Sequence, residues 1–147
     1  ATTLAGRLAQ RLGTPVQTGH CGLTHAFPDA ARVAAAEAGE LTTPGILATR
    51  ARSIQALARA LVAGELRLDP EAPVEPTLQR LRALPGIGEW TAQYIALRCL
   101  SWPDAFPHTD LIIRRAFGDR TPREVLAAAE RWRPWRGYAT LHLWRQA

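Results

Sequence analysis

The sequence predicts an all-α domain. Apolar residues recur at spacings of three and four along successive segments, and no segment shows the apolar–polar alternation of period two that marks a half-buried strand. A third observation sharpens the fold. Leu84-Pro85-Gly86-Ile87-Gly88 joins two helical segments through a pair of glycines, which predicts helix, short hairpin, helix.

Each element has its own signal. Thr3 to Leu12 is amphipathic through Leu4, Leu8 and Leu12, with Gly13 as a stop. Thr14 to Phe27 is rich in Gly and Thr and reads as loop. Pro28-Asp29 starts a helix to about Ala38, and a short turn or helix follows near Leu41 to Leu47. Thr49 is expected to cap Arg50 to Val62, whose apolar face is Ile54, Leu57, Ala58 and Leu61. Gly64 to Pro73 is a connector. Val74 to Leu84, with Leu78, Leu81 and Leu84 at spacing three, leads into the hairpin. Glu89 to Leu100 leads out, with Trp90, Tyr94 and Leu97 at i, i+4 and i+7. Leu111 to Phe117 forms the next helix, capped by Thr109 or Asp110 and stopped at Gly118. Thr121-Pro122-Arg123-Glu124 is a capping box with proline at the first helical position and opens a helix to Arg131. Pro134 is expected to open the last helix. At 147 residues the chain suits one domain, residues 1–147, with enough length for a core.

The hairpin and Asp110 carry the chemistry. Glycines at 86 and 88 allow a tight turn and close approach of another group to the backbone. The amides of that turn sit at a helix N-terminus, where free N–H groups and the positive end of the helix dipole make an anion site suited to a phosphate. A plain turn between two core helices is the simpler reading of Gly-x-Gly taken alone. Asp110 caps a helix, and the dipole there favours its charged form. An ionised carboxylate can orient a water or stabilise a positive sugar in an oxocarbenium-like transition state.

Taken together, Leu84 to Tyr94, then Asp104-Ala105-Phe106-Pro107 and Asp110, resemble the helix–hairpin–helix DNA glycosylase superfamily, and within it the 3-methyladenine DNA glycosylase II (AlkA) type. The tail Glu130 to Ala139 and Leu141-His142-Leu143-Trp144 is similar to that family's C-terminal helix. The likeness is strongest from Leu78 to Trp144. It implies an orthogonal helical domain with a DNA-binding helix–hairpin–helix. Asp110 then matches the catalytic aspartate, and Leu84, Pro85, Gly86, Ile87 and Gly88 match the phosphate-binding turn. Carbonyls of Leu84 and Ile87 match positions that hold a monovalent cation, Na+ or K+. Trp90, Tyr94 and Trp144 match aromatics of the pocket for a flipped base. The chain departs from the pattern at Leu111, where relatives can carry an aromatic; this bears on the preferred base rather than on the chemistry. Trp102, Trp132 and Trp135 are expected in the core or at its rim.

Absences define the expected reaction further. All 18 Lys+Arg residues are arginine. Bifunctional members of the superfamily attack the sugar with a lysine amine, so a lysine Schiff base is excluded and a monofunctional hydrolase is expected. Two cysteines, Cys21 and Cys99, cannot build the four-cysteine iron–sulfur cluster of some relatives. No cofactor is required. His20, His25, His108 and His142 lack metal-ligand spacing, although His108 is close enough in sequence to influence Asp110.

Composition agrees with a polyanionic partner. The formal net charge is +5. Arg82, Arg98, Arg114, Arg115 and Arg136 are the candidates for phosphate contact. The expected partner is double-stranded DNA containing alkylated bases, bound by a monomer in the cytoplasm, at the nucleoid, with no membrane association. The chain does not begin with Met and resembles the later part of full-length members. An upstream segment, with a small mixed α/β subdomain and the wedge that fills the gap of the flipped base, is expected outside it. A non-catalytic helix–hairpin–helix DNA-binding module would keep the hairpin and the charge but would not need Asp110.

Overall fold

The structure, a computed structural model, describes residues 2–147. It is all-helical, and its only β-type pairing among the described residues is an isolated bridge between Pro15 and His25. The chain divides into two compact units. One comprises the residues up to Leu66 with Leu84–Gly86, and the other Arg67–Ala83 with Ile87–Ala147.

The first unit contains α1 (Thr2–Leu12), α2 (Ala30–Ala35), α3 (Ala38–Thr42) and α4 (Ala48–Val62). Leu8, Leu12, Val33, Leu41 and Ile46 close its core against Ala51 and Ala58 of α4. The helix expected from Pro28 to Ala38 is broken. Asp29 caps α2 through Arg32 N at 2.7 Å, but Ala36 turns extended and Glu37 starts α3 in a capping box with Glu40. Gln55 Nε2 donates to the carbonyl of Ala36 at 2.7 Å, satisfying a backbone group that the break exposes. Thr49 is not the cap of α4. Ala51 N already bonds to Leu47 O at 2.9 Å, so Leu47 is the cap and Thr49 lies inside the first turn.

The second unit contains α5 (Val74–Ala83), α6 (Glu89–Cys99), α7 (Leu111–Ala116), α8 (Pro122–Ala128), a 3₁₀ turn at Ala129–Trp132, and α9 (Arg136–Arg145). Phe106, Ile113, Val125 and Ala129 form its core, with Phe117, Leu126, Trp132 and Leu143 packed around them. Trp132 meets Phe106 edge-on, with ring centroids 6.3 Å apart, so the expectation of a core or rim role holds for it. Trp135 instead stands exposed against Tyr138. Burying a side chain such as Phe106 contributes roughly 1.5–3 kcal/mol. The Thr121–Glu124 capping box and Pro122 open α8 as predicted. At the end of α7, Gly118 N bonds to Arg115 O and Asp119 N to Arg114 O, both at 2.9 Å, which is the Schellman closure that Gly118 foretold.

The last helix starts later than Pro134. Its first residue is Arg136, and the Arg133–Pro134 bond is cis. Gly137 N bonds to Pro103 O at 2.7 Å, and Arg136 N to Asp104 Oδ1 at 3.4 Å. The first amides of α9 are therefore satisfied by a distant loop, which sets the start of the helix in place of the local proline signal.

Candidate active site

Asp110 is the N-cap of α7. Its Oδ1 accepts from Ile112 N at 2.9 Å and Ile113 N at 3.1 Å. Two indoles complete the shell. Trp144 Nε1 of α9 donates to Oδ1 at 3.2 Å, and Trp90 Nε1 of α6 donates to Oδ2 at 2.7 Å. Three helices thus converge on one carboxylate. Partial burial pushes the Asp110 carboxyl upward, but the bonds from Trp90, Ile113, Trp144 and Ile112 outweigh it and hold the group below its usual value. Asp110 is ionised at neutral pH.

The aromatic residues form a continuous wall beside it. Trp90 and Tyr94 stack with centroids 5.2 Å apart and planes 11° from parallel, and Tyr94 meets Trp144 at 5.9 Å and 44°. The one-turn spacing on α6 produces the stack. Trp90 and Tyr94 fill each other's facing surfaces, so a third ring does not fit between them. Trp90 is 40 % exposed, so part of its ring remains open to solvent.

The glycine hairpin precedes α6. Gly86 has φ +76°, and Gly88 is the extended N-cap of α6, with no side chain to occupy the first amides of that helix. The acidic residue in that first turn, Glu89, is neutralised by Arg82 at 2.8 Å and held by Gln93 Nε2 at 2.9 Å. Burial raises the Glu89 carboxyl, but the bonds from Arg82 and Gln93 keep it below the usual range.

The arginines nominated for phosphate contact are not equivalent. Arg136 is 4 % exposed and bonds Asp104 through Nε at 2.7 Å and Nη2 at 2.6 Å, so it does not reach solvent. Arg82 bridges Glu75 and Glu89. Arg98 lies over the Tyr94 ring, 5.9 Å from its centroid, and Arg114 donates to Arg120 O. Arg115 is exposed. His108 faces Phe106 O at 3.4 Å and lies near Glu89.

Sequence reasoning missed two supports. Gln93, buried on α6, accepts the Phe106 amide at 2.9 Å and ties the α6–α7 loop to α6. Asp104 and Arg136 tie the same loop to α9. A polar residue within an apolar stripe was the available signal. Arg136, Thr140 and Leu143 share helical spacing, and Gln93 lies between Ala92 and Ala96.

No family model matches the chain. Known proteins do. The chain is 44% identical over 148 residues to a Mycobacterium tuberculosis protein named "Probable bifunctional transcriptional activator/DNA repair enzyme AlkA", covering 98% of this chain and 29% of that one. It is 41% identical over 118 residues to the Escherichia coli DNA-3-methyladenine glycosylase 2, covering 80% of this chain and 42% of the relative. The fold matches 3-methyladenine DNA-glycosylase from Archaeoglobus fulgidus with a TM-score of 0.77 at 26% identity, over 96% of this chain and 50% of that one. By sequence and fold the chain belongs to the helix–hairpin–helix DNA glycosylase superfamily. Within it the chain is similar to the proteins named AlkA and DNA-3-methyladenine glycosylase 2. It spans less than half the length of these two sequence relatives. No helix among the described residues is long and apolar enough to cross a membrane.

Proposed function

We propose that the protein is a monofunctional DNA N-glycosylase. It flips an alkylated purine such as 3-methyladenine or 7-methylguanine out of double-stranded DNA and hydrolyses its glycosidic bond. The observation that carries this reading is an ionised carboxylate, Asp110, held by four N–H donors beside an aromatic wall.

An N-alkylated purine is cationic, so it departs as a neutral base when the C1′–N bond breaks and takes the bonding electron pair. The sugar becomes positive. Asp110 stabilises that charge and orients the water whose oxygen bonds to C1′; the water's proton passes to solvent. A carboxylate with a lowered pKa is a weak base, so electrostatic stabilisation is its main contribution. Trp90, Tyr94 and Trp144 favour the cationic base, since a cation over an indole face gains about 0.5–2 kcal/mol. The hairpin Leu84 to Gly88 grips a backbone phosphate through amides at the start of α6. The neutral carbonyl oxygens of Leu84 and Ile87 suit Na+ or K+.

The test is release of methylated purines from alkylated duplex DNA by the full-length protein and its Asp110→Asn variant. Asparagine still caps a helix, so fold and DNA binding persist, while release falls by about 10²–10³-fold as the charge is lost. Absence of release from a folded, DNA-binding parent would overturn the enzyme reading and leave a non-catalytic DNA-binding module. Equal release from both would retain the enzyme and remove Asp110 from its centre.

A further inference from the structure

We propose that the buried pair Asp104–Arg136 is a positioning device that fixes the register of α9 and thereby holds Trp144 against the Asp110 carboxylate. The proposal rests on the glycosylase reading only for its activity readout.

The geometry is specific. Asp104 and Arg136 are 6 % and 4 % exposed, and they meet through two parallel bonds of 2.7 and 2.6 Å. This bidentate fit constrains orientation as well as distance. Arg136 is the first residue of α9, and its own amide reaches the same carboxylate. The next residue, Gly137, donates its amide to Pro103 O at 2.7 Å. A Cβ on Gly137 would lie 2.7 Å from that same oxygen, so the helix start is pressed directly onto the loop. Both the axial position and the rotation of α9 are set at this point.

The inward residues of α9 are Arg136, Gly137, Thr140, Leu143 and Trp144, a stripe at helical spacing. The stripe begins with the ion pair and ends at the Trp144 indole, which donates to Asp110. Eight residues of helix cover about 12 Å. Slipping α9 by one residue would turn it by about 100° and remove Trp144 from Asp110. Asp104 and Asp110 belong to one loop, residues 100–110, whose middle is held to α6 by Gln93. Loop and helix are therefore joined at both ends of α9, at Asp104–Arg136 and Pro103–Gly137 near its start and at Asp110–Trp144 near its end. Arg133 and Glu130 lie at the rim of the ion pair, 3.5 Å from Asp104 and 3.8 Å from Arg136, so its charges are balanced locally. Neither member of the pair contacts Asp110, and its action runs through α9.

The experiment compares Asp104→Asn, Arg136→Lys and Trp144→Phe, alone and combined, in the full-length protein. Arg136→Lys keeps the charge and removes the planar fork, so it serves if Asp104→Asn fails to fold. Two quantities are read. One is kcat against KM for methylated-base release. The other, which needs no activity, is the indole N–H resonance of Trp144, identified by its disappearance in Trp144→Phe. The expected result is a fall in kcat of about tenfold or more with KM little changed, as suits a misplaced group, and a displaced Trp144 resonance with faster solvent exchange. In the Trp144→Phe background the same substitution adds little further loss, because the two act as one unit. An unmoved resonance, or a kcat loss undiminished by Trp144→Phe, overturns the proposal. A displaced resonance in a protein whose parent releases no base supports the positioning role while the glycosylase reading fails.

Discussion

The indole N–H of Trp90 donates to Oδ2 of Asp110 over 2.7 Å, joining the first turn of α6 to the cap of α7 across twenty residues of sequence. Oδ1 accepts the two backbone amides and the Trp144 indole. Each carboxylate oxygen offers about two lone-pair positions, so three donors crowd Oδ1 while Oδ2, with Trp90 as its one donor here, keeps a position open to a water. The arrangement keeps the charge in place and restricts the orientation of Trp90, whose ring stacks on Tyr94. One side chain therefore both builds the aromatic wall and fixes the anion.

The lowered Asp110 pKa sets the pH response. A carboxyl held lower in the folded state adds stability above its unfolded pKa, about 3.9, and that stability is lost as pH falls through the folded value. Base release should therefore show no acid limb from Asp110 between about pH 5 and 8. Trp90→Phe keeps a ring against Tyr94 but removes one donor, so the Asp110 titration moves upward and kcat falls. Carboxyl NMR titration and the pH profile of release check both statements. A limb near pH 6 in the parent that disappears in Asp110→Asn would identify Asp110 as a general base and contradict the electrostatic role.

The aromatic wall predicts a charge preference. Trp144→Leu removes an indole that meets Tyr94 at 5.9 Å and also donates to Asp110. Lost cation–π attraction should cost a cationic base about 0.5–2 kcal/mol beyond the loss for a neutral one. The ratio of kcat/KM for 7-methylguanine to that for hypoxanthine should fall accordingly. An unchanged ratio would mean that the wall acts by stacking and shape without regard to charge.

Gly137 reverses the usual rule for helical glycine. Glycine to alanine inside a helix ordinarily stabilises by about 0.5–1 kcal/mol. Here a Cβ would lie 2.7 Å from Pro103 O and 3.0 Å from Leu97 Cδ1. Gly137→Ala should destabilise by about 1–3 kcal/mol, the range for forced overpacking. Denaturant unfolding measures it, and a gain in stability would show that α9 can move off the loop freely.

Local chemistry decided what the sequence could reveal. Asp110 was legible as a helix cap because a carboxylate just before a helix accepts its first free amides, and Thr121–Glu124 was legible because a capping box is complete within four residues. The hairpin was legible from its two glycines. Features set by distant partners were hidden. The break at Ala36 lies in an alanine-rich run that favours helix, and its carbonyl is met by Gln55, nineteen residues on. Pro134 looked like a first helical residue, but Pro103 and Asp104 fix the start at Arg136. Arg136 looked like a phosphate ligand because its partner lies thirty-two residues back. Arg82 was more nearly readable, since Glu75 and Glu89 stand seven residues to either side.

The two hairpin glycines should separate folding from DNA binding. Gly86 has φ +76°, and a Cβ there would collide with Ser53 Oγ in the first unit. Gly86→Ala should cost at least about 1–2 kcal/mol from the left-handed backbone alone. Gly88 is extended, and nothing lies within 4 Å of a Cβ built on it. Gly88→Ala should cost less than about 1 kcal/mol, the loss of a fair N-cap. Its methyl group would nevertheless stand at the first amides of α6, where the proposed phosphate contact would form. Unfolding curves and DNA affinity at fixed salt, measured on both variants, test the contrast. Gly88→Ala with full stability and weakened DNA binding is the expected result; undiminished affinity would mean that no phosphate approaches the backbone at this turn.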